Sequence, residues 1–487
     1  MFERPFHPER KAPTVARQDH LKQALEAATS PVERTRILQQ AIDAAGEQGG
    51  GLVELPAGEW VIVTIFLRSG VRLHLQRGCV LKAHENLDDY PTAPRGHNKD
   101  RQPYHLIMAD GCEHVTVEGD GVIDGNGKAF WEPPIRDLRS AGEDVTDDIA
   151  RAPERWPIDG PFWRAWGPRI TPLIELRHCR HVVLRDFTIV NSPGWTVHPF
   201  CCRYVRIEGL TLDSHMYGPN TDGLDINGCQ DVFVSNCRIA GCDDAIILKA
   251  TEDAQPCERI VVTNCVLRTN CAALGLGAEV AAGIRDVTMS NCVVEQALRM
   301  IQIEMWEPGL VENVTITNIS GATMTDEAPV EKVVYLDIQQ HGRPEPTLGH
   351  MRNIVISNIT ATTRGRCVLT AQDGSYIDDV TLRDIQLIYP EIEDNPVVVP
   401  KCKSNQNSNY SPHSRTVNSV LVADNVRGLV VDNLSARMPA ANGSDVPAMH
   451  GVWLRNVSDA HIDSPRLRSN DENTETFALN GCDATVR

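Results

Sequence analysis

The sequence has 487 residues, of which 41% are hydrophobic and 23% charged, a composition typical of a soluble globular protein. Its formal net charge is −18, which argues against nucleic acid or an anionic membrane as the main partner, because both carry negative charge. The same charge disfavours a long polyanionic substrate unless a local basic cleft overrides the global field.

The N-terminal residues 1–11 contain no apolar stretch followed by a cleavage-site pattern, so no signal peptide is predicted. No uninterrupted apolar stretch reaches the length of a membrane span. We therefore expect a cytoplasmic protein, although a secreted protein trimmed of its leader would have the same sequence.

Residues 18–46 have the apolar spacing of a helix, which Leu38 and Ile42 illustrate. Three consecutive glycines at 49–51 end this helix, and an apolar strand-like run follows them. We predict that residues 1–50 form an N-terminal helical cap and lead-in, which covers the open edge of the first strands.

A short phrase recurs along the rest of the chain: a polar residue, an alternating apolar run, then Asn or Asp and another apolar residue. The closing pairs of its copies are Asp186-Phe187, Asn236-Cys237, Asn264-Cys265, Asn291-Cys292, Asn318-Ile319, Asn358-Ile359, Asp384-Ile385 and Asn433-Leu434. From Asn236 to Asn318 the copies are about 27 residues apart, a period typical of solenoids. The cysteines in this column are expected to be reduced and buried.

The repeated runs are rich in Val, Ile and Thr, their turns contain Asn and Gly, and they lack the leucine ladder and helical half of leucine-rich repeats. That composition favours parallel β-coils. The Asn after each run can adopt a left-handed turn and hydrogen-bond along the stack. We predict an all-β fold, a right-handed parallel β-helix over residues 51–487.

Two long stretches without the repeat, near 128–166 and 396–418, are predicted to be loop insertions that border a cleft. The first contains four tryptophans that either pack the loop or stack on sugars: Trp131, Trp156, Trp163 and Trp166. The second is polar and contains Lys401, Lys403, His413 and Arg415.

Carboxylates are concentrated in two adjacent blocks, 220–225 and 241–249, in which Asp222, Asp243 and Asp244 occupy comparable places on consecutive coils. Neighbouring strands lie roughly 4.8 Å apart, so we expect these three side chains to meet on one sheet face. A ladder of Asp residues that bind turn amides is the alternative. Because like charges in one site raise pKa values, the cluster is a candidate for acid and base chemistry.

Both blocks resemble signatures of a known family. The segments Asn220-Thr221-Asp222-Gly223 and Gly241-Cys242-Asp243-Asp244 are similar to the two leading signatures of glycoside hydrolase family 28, the polygalacturonase-like enzymes. Upstream, Asn191-Ser192-Pro193-Gly194-Trp195 is similar to a further segment of that family. The resemblance covers roughly residues 36–325 and implies a parallel β-helix that hydrolyses glycosidic bonds with inversion.

The resemblance also implies roles. Asp243 is expected to be the general acid toward the leaving oxygen, while Asp222 and Asp244 position and deprotonate water. Which of Asp243 and Asp244 is the acid stays open at this point.

Three further residues in the two blocks are candidates for substrate binding: Asn220, Asp225 and Lys249. Lys249 either holds a neighbouring carboxylate in its charged form or is an ordinary solvated lysine.

Two later family signatures are changed. The Gly-His-Gly block is expected near residues 270–279, where no histidine occurs and the slot falls on Cys271 or Ala272. Alignment on the following Trp306 places Gln302-Ile303-Glu304 over the family's Arg-Ile-Lys block, whose Arg and Lys clamp a uronate carboxylate in polygalacturonases.

Gln302 and Glu304 cannot form that clamp, and Glu304 would repel a carboxylate. Arg299, three residues earlier, is a candidate to compensate. We therefore expect a retained hydrolytic centre without simple polygalacturonase activity. The substrate is then a neutral sugar, or a uronate held by other basic residues such as Lys401 or Arg415.

The sequence thus predicts a glycosidase that cleaves an oligosaccharide or a fragment of a plant-type polysaccharide, with exo action favoured by cleft-closing loops. No cofactor, metal, nucleic acid or membrane is expected, and the oligomeric state stays open. One alternative is a β-helix polysaccharide lyase, in which the three aspartates hold Ca²⁺ and an Arg or Lys is the base. Others are an inactive carbohydrate-binding solenoid, and a hydrolase with Glu304 as the acid and Asp243 as a binder.

Overall fold

The computed structural model describes residues 15–94, 100–147, 160–165, 167–323, 331–339, 348–392, 417–442 and 446–487. Most of the second predicted loop, with Lys401, Lys403, His413 and Arg415, lies outside the described residues, as do Trp156 and Trp166 of the first.

Helices occur near the N-terminus and in the first insertion: α1 (Val15–Ala27), α2 (Pro31–Glu47) and α3 (Ile135–Ser140). In the described part of the chain, no helix is both long and apolar enough to cross a membrane.

Short strands make up most of the remaining structure. Before the first insertion they are β1 (Gly51–Leu55), β2 (Gly58–Ile62), β3 (Ile65–Phe66), β4 (Val71–Leu75), β5 (Cys79–Ala83), β6 (Ile107–Asp110), β7 (Glu113–Gly119) and β8 (Val122–Asp124). The next group is β9 (Ile174–Arg177), β10 (Arg180–Arg185), β11 (Thr188–Val190), β12 (Val197–Phe200), β13 (Arg203–Glu208), β14 (Thr211–Asp213), β15 (Leu224–Asn227), β16 (Gln230–Ser235), β17 (Arg238–Gly241), β18 (Ile246–Ala250), β19 (Cys257–Thr263) and β20 (Val266–Thr269). The last group is β21 (Ala272–Val280), β22 (Ile284–Gln296), β23 (Arg299–Met305), β24 (Leu310–Thr323), β25 (Lys332–Ile338), β26 (His350–Thr363), β27 (Arg366–Ala371), β28 (Ile377–Ile388), β29 (Ser419–Arg437), β30 (His450–Ser458), β31 (Ala460–Asp463), β32 (Phe477–Asn480) and β33 (Ala484–Val486).

These strands pair in parallel with the equivalent strand of the next coil, which builds three long sheets around one core. The sheet that matters for function, here called the first sheet, runs β9, β12, β15, β18, β21, β23, β25 and β27. A second sheet runs β10, β13, β16, β19 and onward. The predicted right-handed parallel β-helix is confirmed, and its hand is the usual one for parallel crossover connections.

The predicted turn asparagines lie in a row along the helix. Asn291, Asn318 and Asn358 have φ angles of 58°, 59° and 54°, the left-handed region that Asn tolerates better than most residues. The side-chain amide of Asn318 donates to Oδ1 of Asn291, 27 positions earlier, at 3.0 Å, and that of Asn358 donates to Asn318 at 3.1 Å. Each asparagine therefore adopts the conformation that its own turn requires and also hydrogen-bonds to the neighbouring coil.

The two faces of the first sheet are both covered. In the second sheet, strands such as β16 alternate between buried and accessible residues, as expected when one face meets solvent. In the first sheet, every residue of β15, β18, β23 and β25 is buried. Outward-facing polar side chains on these strands are therefore removed from water, where charge interactions are strong.

The column of cysteines is buried as expected. Cys237, Cys265 and Cys292 are thiols with at most 2% of their surface exposed. They fill the interior as small apolar side chains.

Helix α2 covers the start of the β-helix through side-chain hydrogen bonds to strand backbone. Gln39 accepts from Phe66 N at 2.7 Å and donates to Phe66 O at 2.9 Å, and Thr35 accepts from Val63 N at 2.9 Å. Leu38 and Ile42, both in α2, are buried in the hydrophobic core. Backbone groups that an edge strand leaves unpaired are satisfied in this way.

Candidate active site

The three candidate catalytic aspartates lie where two neighbouring strands of the first sheet begin. Asp222 precedes β15 by two residues, and Asp244 precedes β18 by two. Leu224 pairs with Ile246, so the register aligns Asp222 with Asp244. The two chains are joined there by a 2.8 Å hydrogen bond from Gly223 N to Asp244 O.

Gly223 allows this close approach. A Cβ at Gly223 would lie 2.4 Å from the carbonyl oxygen of Ala245, closer than real Cβ contacts occur. The glycine between Asp222 and the strand is therefore needed to bring the two coils together at the carboxylates.

Asp243 and Asp244 accept hydrogen bonds from several nearby donors. Asn220 Nδ2 donates to Asp243 Oδ2 at 3.4 Å, and the backbone N–H of Asp244 donates to Asp243 Oδ1 at 3.1 Å. The N–H of Ala272, on the next strand, donates to Asp244 Oδ1 at 3.1 Å. One backbone N–H thus holds one oxygen of each carboxylate in place.

Asp222 and Asp225 are less well satisfied. Both are buried, with 4% and 0% of their surface exposed. Among the described residues, neither Oδ1 of Asp222 nor either carboxylate oxygen of Asp225 has a hydrogen-bond partner. Unpaired buried carboxylate oxygens favour the protonated form or an incoming ligand.

Burial and mutual repulsion shift the titration of this cluster. Burial raises the pKa of Asp222 well above its usual range, and the charges of Asp243, Asp225 and Asp244 raise it further. Burial and then Asp243 raise the pKa of Asp244, against the lowering effect of Lys249. The cluster therefore retains protons at pH values at which isolated carboxyl groups are ionised.

Lys249 is a buried ion-pair partner rather than a solvated lysine. It is 5% exposed, and its Nζ donates to Glu279 Oε2 at 2.9 Å. Burial alone would lower its pKa, but the carboxylates of Glu279, Asp225 and Asp244 raise it. Of the sequence alternatives, the structure favours a lysine that supports the charged form of nearby carboxylates.

Cys271, one of the two candidates for the slot in which the family pattern has a histidine, lies beside Asp243 and Asp244. Its thiol donates a hydrogen bond to Asp244, which lowers the pKa of that carboxyl. Ligand atoms of Asp243, Asp244 and Cys271 lie within 4.8 Å of one another. A metal held there would have a mixed oxygen and sulfur environment, unlike the oxygen ligands that Ca²⁺ takes.

Arg299, Gln302 and Glu304 form one connected group on β23. Arg299 Nη1 donates to Gln302 Oε1 and lies 3.8 Å from Glu304 Oε2. Glu304 Oε1 also accepts from Trp306 Nε1 at 2.9 Å and from Gln339 Nε2 at 3.2 Å. Gln302 and Glu304 are therefore both in contact with the guanidinium of Arg299.

The first insertion packs against the segment that leads from β14 into β15. Trp131 is buried, and its Nε1 donates to Pro193 O at 2.8 Å. Its ring lies 6.1 Å from Trp163 and 6.2 Å from His215. Trp131 therefore packs the loop, while Trp163 is only half-buried.

Sequence reasoning missed two charged residues of the site. Arg169 is 4% exposed, and its Nη2 donates to Asn220 Oδ1 at 3.1 Å, which orients the amide that contacts Asp243. Glu279 pairs with Lys249, as described above. Arg169 lies between the first insertion and β9, in a stretch without a motif. Glu279 could have been sought from the sequence, because a buried lysine needs an acidic partner on a neighbouring coil.

Comparisons with known proteins agree with this geometry. A family model described as glycosyl hydrolases family 28 matches residues 166–450. A probable polygalacturonase of Vitis vinifera is 26% identical over 310 residues, which cover 60% of this chain and 58% of that protein.

Two solved structures share the fold. The exopolygalacturonase of Thermotoga maritima superposes with a TM-score of 0.59 at 23% identity and covers 73% of this chain and 83% of its own. The family 28 exopolygalacturonase of Yersinia enterocolitica has a TM-score of 0.63 at 18% identity, with coverage of 93% and 75%.

The chain spans about half the length of the curated relatives it matches. The family match nevertheless extends over more than half of this chain and includes every candidate site residue from Arg169 to Glu304. The protein is therefore a member of glycosyl hydrolase family 28.

Proposed function

We propose that the protein is an inverting glycoside hydrolase that acts on an oligosaccharide or a fragment of a plant-type polysaccharide. The observation that carries this proposal is the convergence of three buried aspartates, Asp222, Asp243 and Asp244, at the aligned starts of β15 and β18. Inversion requires one protonated and one ionised carboxyl group around a single bond. A crowded, buried cluster supplies both forms at one pH.

Asp243 is assigned as the general acid toward the leaving oxygen, with Asp222 and Asp244 as the groups that position and deprotonate water. The Asn220 contact to Asp243 is long, at 3.4 Å, so a glycosidic oxygen can replace it at little cost. The raised pKa values of Asp222 and Asp244 keep a proton within the cluster for delivery.

Exo action and a site different from that of a simple polygalacturonase complete the proposal. Two solved structures with the same fold are exopolygalacturonases, and Trp131 and Trp163 of the first insertion pack on His215, in the segment before β15. Gln302 and Glu304 occupy the positions of the family's uronate clamp and bind Arg299 instead. Cleavage of bonds in the interior of a long polysaccharide would contradict exo action.

The lyase alternative is less well supported. It needs a Ca²⁺ site, and the ligand atoms that converge here include the Cys271 thiol. The hydrolase in which Glu304 is the acid is disfavoured because Trp306, Gln339 and Arg299 already surround its carboxylate. A cytoplasmic location and the trimming of imported oligosaccharides stay predictions, which secretion of the native protein would contradict.

The test is release of reducing ends from a panel of neutral and uronate-containing oligosaccharides, with Asp243→Asn as the control. We expect release by the native protein and its loss in the variant, with inverted anomeric configuration in the first product. An unsaturated product would indicate a lyase. No release from any member, with intact folding, would support the inactive solenoid.

A further inference from the structure

A thiol and two carboxylates from neighbouring coils converge at the candidate catalytic centre. Ligand atoms of Asp243, Asp244 and Cys271 lie within 4.8 Å of one another. The two aspartates come just before β18 and the cysteine just before β21, so the group joins two paired strands of the first sheet. Their side chains are 6%, 8% and 5% exposed, so each is largely buried but remains in contact with solvent. A small ion from solution can therefore reach all three.

The spacing of these atoms suits a divalent cation that binds both oxygen and sulfur. Carboxylate oxygens lie about 2.1 Å and thiolate sulfur about 2.3 Å from Zn²⁺, which sets tetrahedral ligand atoms roughly 3.5 Å apart. Atoms that already lie within 4.8 Å reach this geometry by small side-chain rotations. A thiolate favours Zn²⁺ or Cd²⁺ over Mg²⁺ and Ca²⁺, which take oxygen ligands. The donor set therefore selects a thiophilic ion.

Asp222 adds an oxygen that lacks a hydrogen-bond donor. Its side chain is 4% exposed, and among the described residues its Oδ1 has no hydrogen-bond partner. Burial raises the pKa of Asp222, and among its charged neighbours Asp243 raises it most. The strand register also aligns Asp222 with Asp244, so its carboxylate faces the aspartate pair. A buried carboxylate oxygen without a donor is stabilised by a cation.

The basic residues of the site neutralise the aspartates only in part. Burial raises the pKa of Asp244, against the opposing charges of Lys249 and Arg299. Lys249 Nζ also donates to Glu279 Oε2 at 2.9 Å, and Arg299 Nη1 lies 3.8 Å from Glu304 Oε2, so both cations are shared with other acids. A divalent cation can take the place of the protons that the aspartates retain, and its binding then releases those protons to solvent.

The surroundings of Cys271 differ from those of the interior cysteine column. Its thiol donates a hydrogen bond to the Asp244 carboxylate. Burial lowers the pKa of Arg299, but the charges of Cys271 and Glu304 raise it by more, so the guanidinium lies close to this sulfur. A nearby positive charge stabilises a thiolate, which is the form that binds metals. Cys271 is therefore placed to act as a ligand.

We propose that Asp222, Asp243, Asp244 and Cys271 form a site for a thiophilic divalent cation such as Zn²⁺ or Cd²⁺, and that the bound ion reversibly inhibits the enzyme. This inference rests on the proposed hydrolase function and concerns the regulation of the same site. A bound ion occupies the Asp243 oxygens that protonate the leaving group and the Asp222 and Asp244 oxygens that activate water. The ion is thus an inhibitor and not a cofactor.

Metal binding is measured without any substrate. Zn²⁺ is titrated by calorimetry into the reduced, metal-free native protein and into Cys271→Ser, Asp244→Asn and Cys201→Ser. Cd²⁺ is added to the same proteins, and the ultraviolet absorption of a cadmium–thiolate bond reports whether sulfur is a ligand. Cys201→Ser is the matched control, because Cys201 is a more exposed thiol outside the site. Mg²⁺ and Ca²⁺ are the controls that prefer oxygen, and thermal unfolding verifies that each variant is folded.

We expect a single Zn²⁺ to bind, with its affinity lowered about 100-fold or more by Cys271→Ser and by Asp244→Asn and unchanged by Cys201→Ser. The cadmium–thiolate absorption should be present in the native protein and in Cys201→Ser, and absent in Cys271→Ser. No binding of Zn²⁺, equal binding by Cys271→Ser, or absorption retained in that variant would overturn the site. Asp244→Asn keeps the thiol, so it tests the site even if the serine variant fails to fold.

Metal binding and hydrolysis can fail separately. With an active enzyme, we expect Zn²⁺ to stop hydrolysis and a chelator to restore it. Hydrolysis that saturating Zn²⁺ leaves unchanged would keep the hydrolase and remove the inhibitory site. Zn²⁺ binding that depends on Cys271, without hydrolysis of any substrate by the metal-free native protein, would keep the metal site and remove the hydrolase.

Discussion

Lys249 and Glu279, thirty positions apart, form a 2.9 Å ion pair across neighbouring strands of the first sheet. Because Lys249 is buried among carboxylates, removal of its charge leaves several acids uncompensated. We expect Lys249→Met to lower the free energy of unfolding by about 3 to 5 kcal/mol and to abolish activity. Denaturant unfolding measures the first effect. Addition of Glu279→Gln should restore part of the stability, and a double variant no better than Lys249→Met would contradict the pairing.

The assignment of Asp243 as the acid predicts a dependence on the leaving group. We expect Asp243→Asn to slow hydrolysis of natural oligosaccharides about 1,000-fold or more, because the leaving oxygen can no longer be protonated. The loss should be much smaller for an aryl glycoside whose phenol leaves without protonation. Rate measurements on both substrates test this, with Asp244→Asn as the comparison. Similar losses on both substrates would assign Asp243 another role.

Glu304 should be dispensable for the chemical step. Trp306 and Gln339 donate to it, and these bonds can be kept by a glutamine oxygen. We expect Glu304→Gln to change kcat by less than about tenfold and to preserve the shape of the pH–rate profile. Loss of one limb of the profile would instead identify Glu304 as the acid.

Asp337 predicts a pH dependence of stability. Burial raises the pKa of this carboxyl to about 7 from its usual value of 3.8, and the charge of Glu304 adds to the effect. The folded protein then binds this proton more tightly than the unfolded chain, so stability falls as pH rises from about 4 to about 7.

The matching experiment is unfolding of native protein and Asp337→Asn at pH 4 and pH 8. The variant lacks the titration, so its stability relative to the native protein should improve by on the order of 4 kcal/mol at the higher pH. If the difference in stability between the two proteins does not change with pH, the pKa of Asp337 is not raised in the folded protein.

The asparagine row predicts a conformational effect on stability. Asn318 has a φ of 59° and shares side-chain hydrogen bonds with Asn291 and Asn358. Asn318→Ala loses those bonds and also strains the backbone, whereas Asn318→Gly loses only the bonds. We expect the alanine variant to be about 1 kcal/mol less stable than the glycine variant in urea unfolding. The reverse order would mean that the turn does not require a left-handed residue.

Those asparagines also explain why the fold could be predicted. The turn after each strand has a left-handed backbone conformation, which Asn and Asp adopt more readily than most residues. Asn therefore recurs at positions 264, 291 and 318, and the repeat period is visible in the sequence. The same periodicity predicts that Asp222 lies near Asp243 and Asp244, and the strand register aligns it with Asp244.

The rest of the site could not be predicted in this way. Arg169 contacts Asn220 from the stretch between the first insertion and β9, where no repeat predicts its position. Arg299 is a candidate from the sequence, but its contacts with Gln302 and Glu304 depend on side-chain conformations that the sequence does not specify. Contacts made by long side chains across coils leave no periodic trace in a single sequence.

The outward-facing polar side chains on the strands of the first sheet have a consequence for evolution. Each coil of a solenoid contacts only its neighbours, so a residue on one row can be exchanged without disturbing the distant interior. Gln302 and Glu304 contact Arg299 on β23, while Ile301 and Ile303 of the same strand belong to the hydrophobic core, so an exchange at the two polar positions need not disturb the core. Enzymes that share this fold can therefore come to differ in substrate specificity through a few side-chain substitutions, while the architecture stays the same.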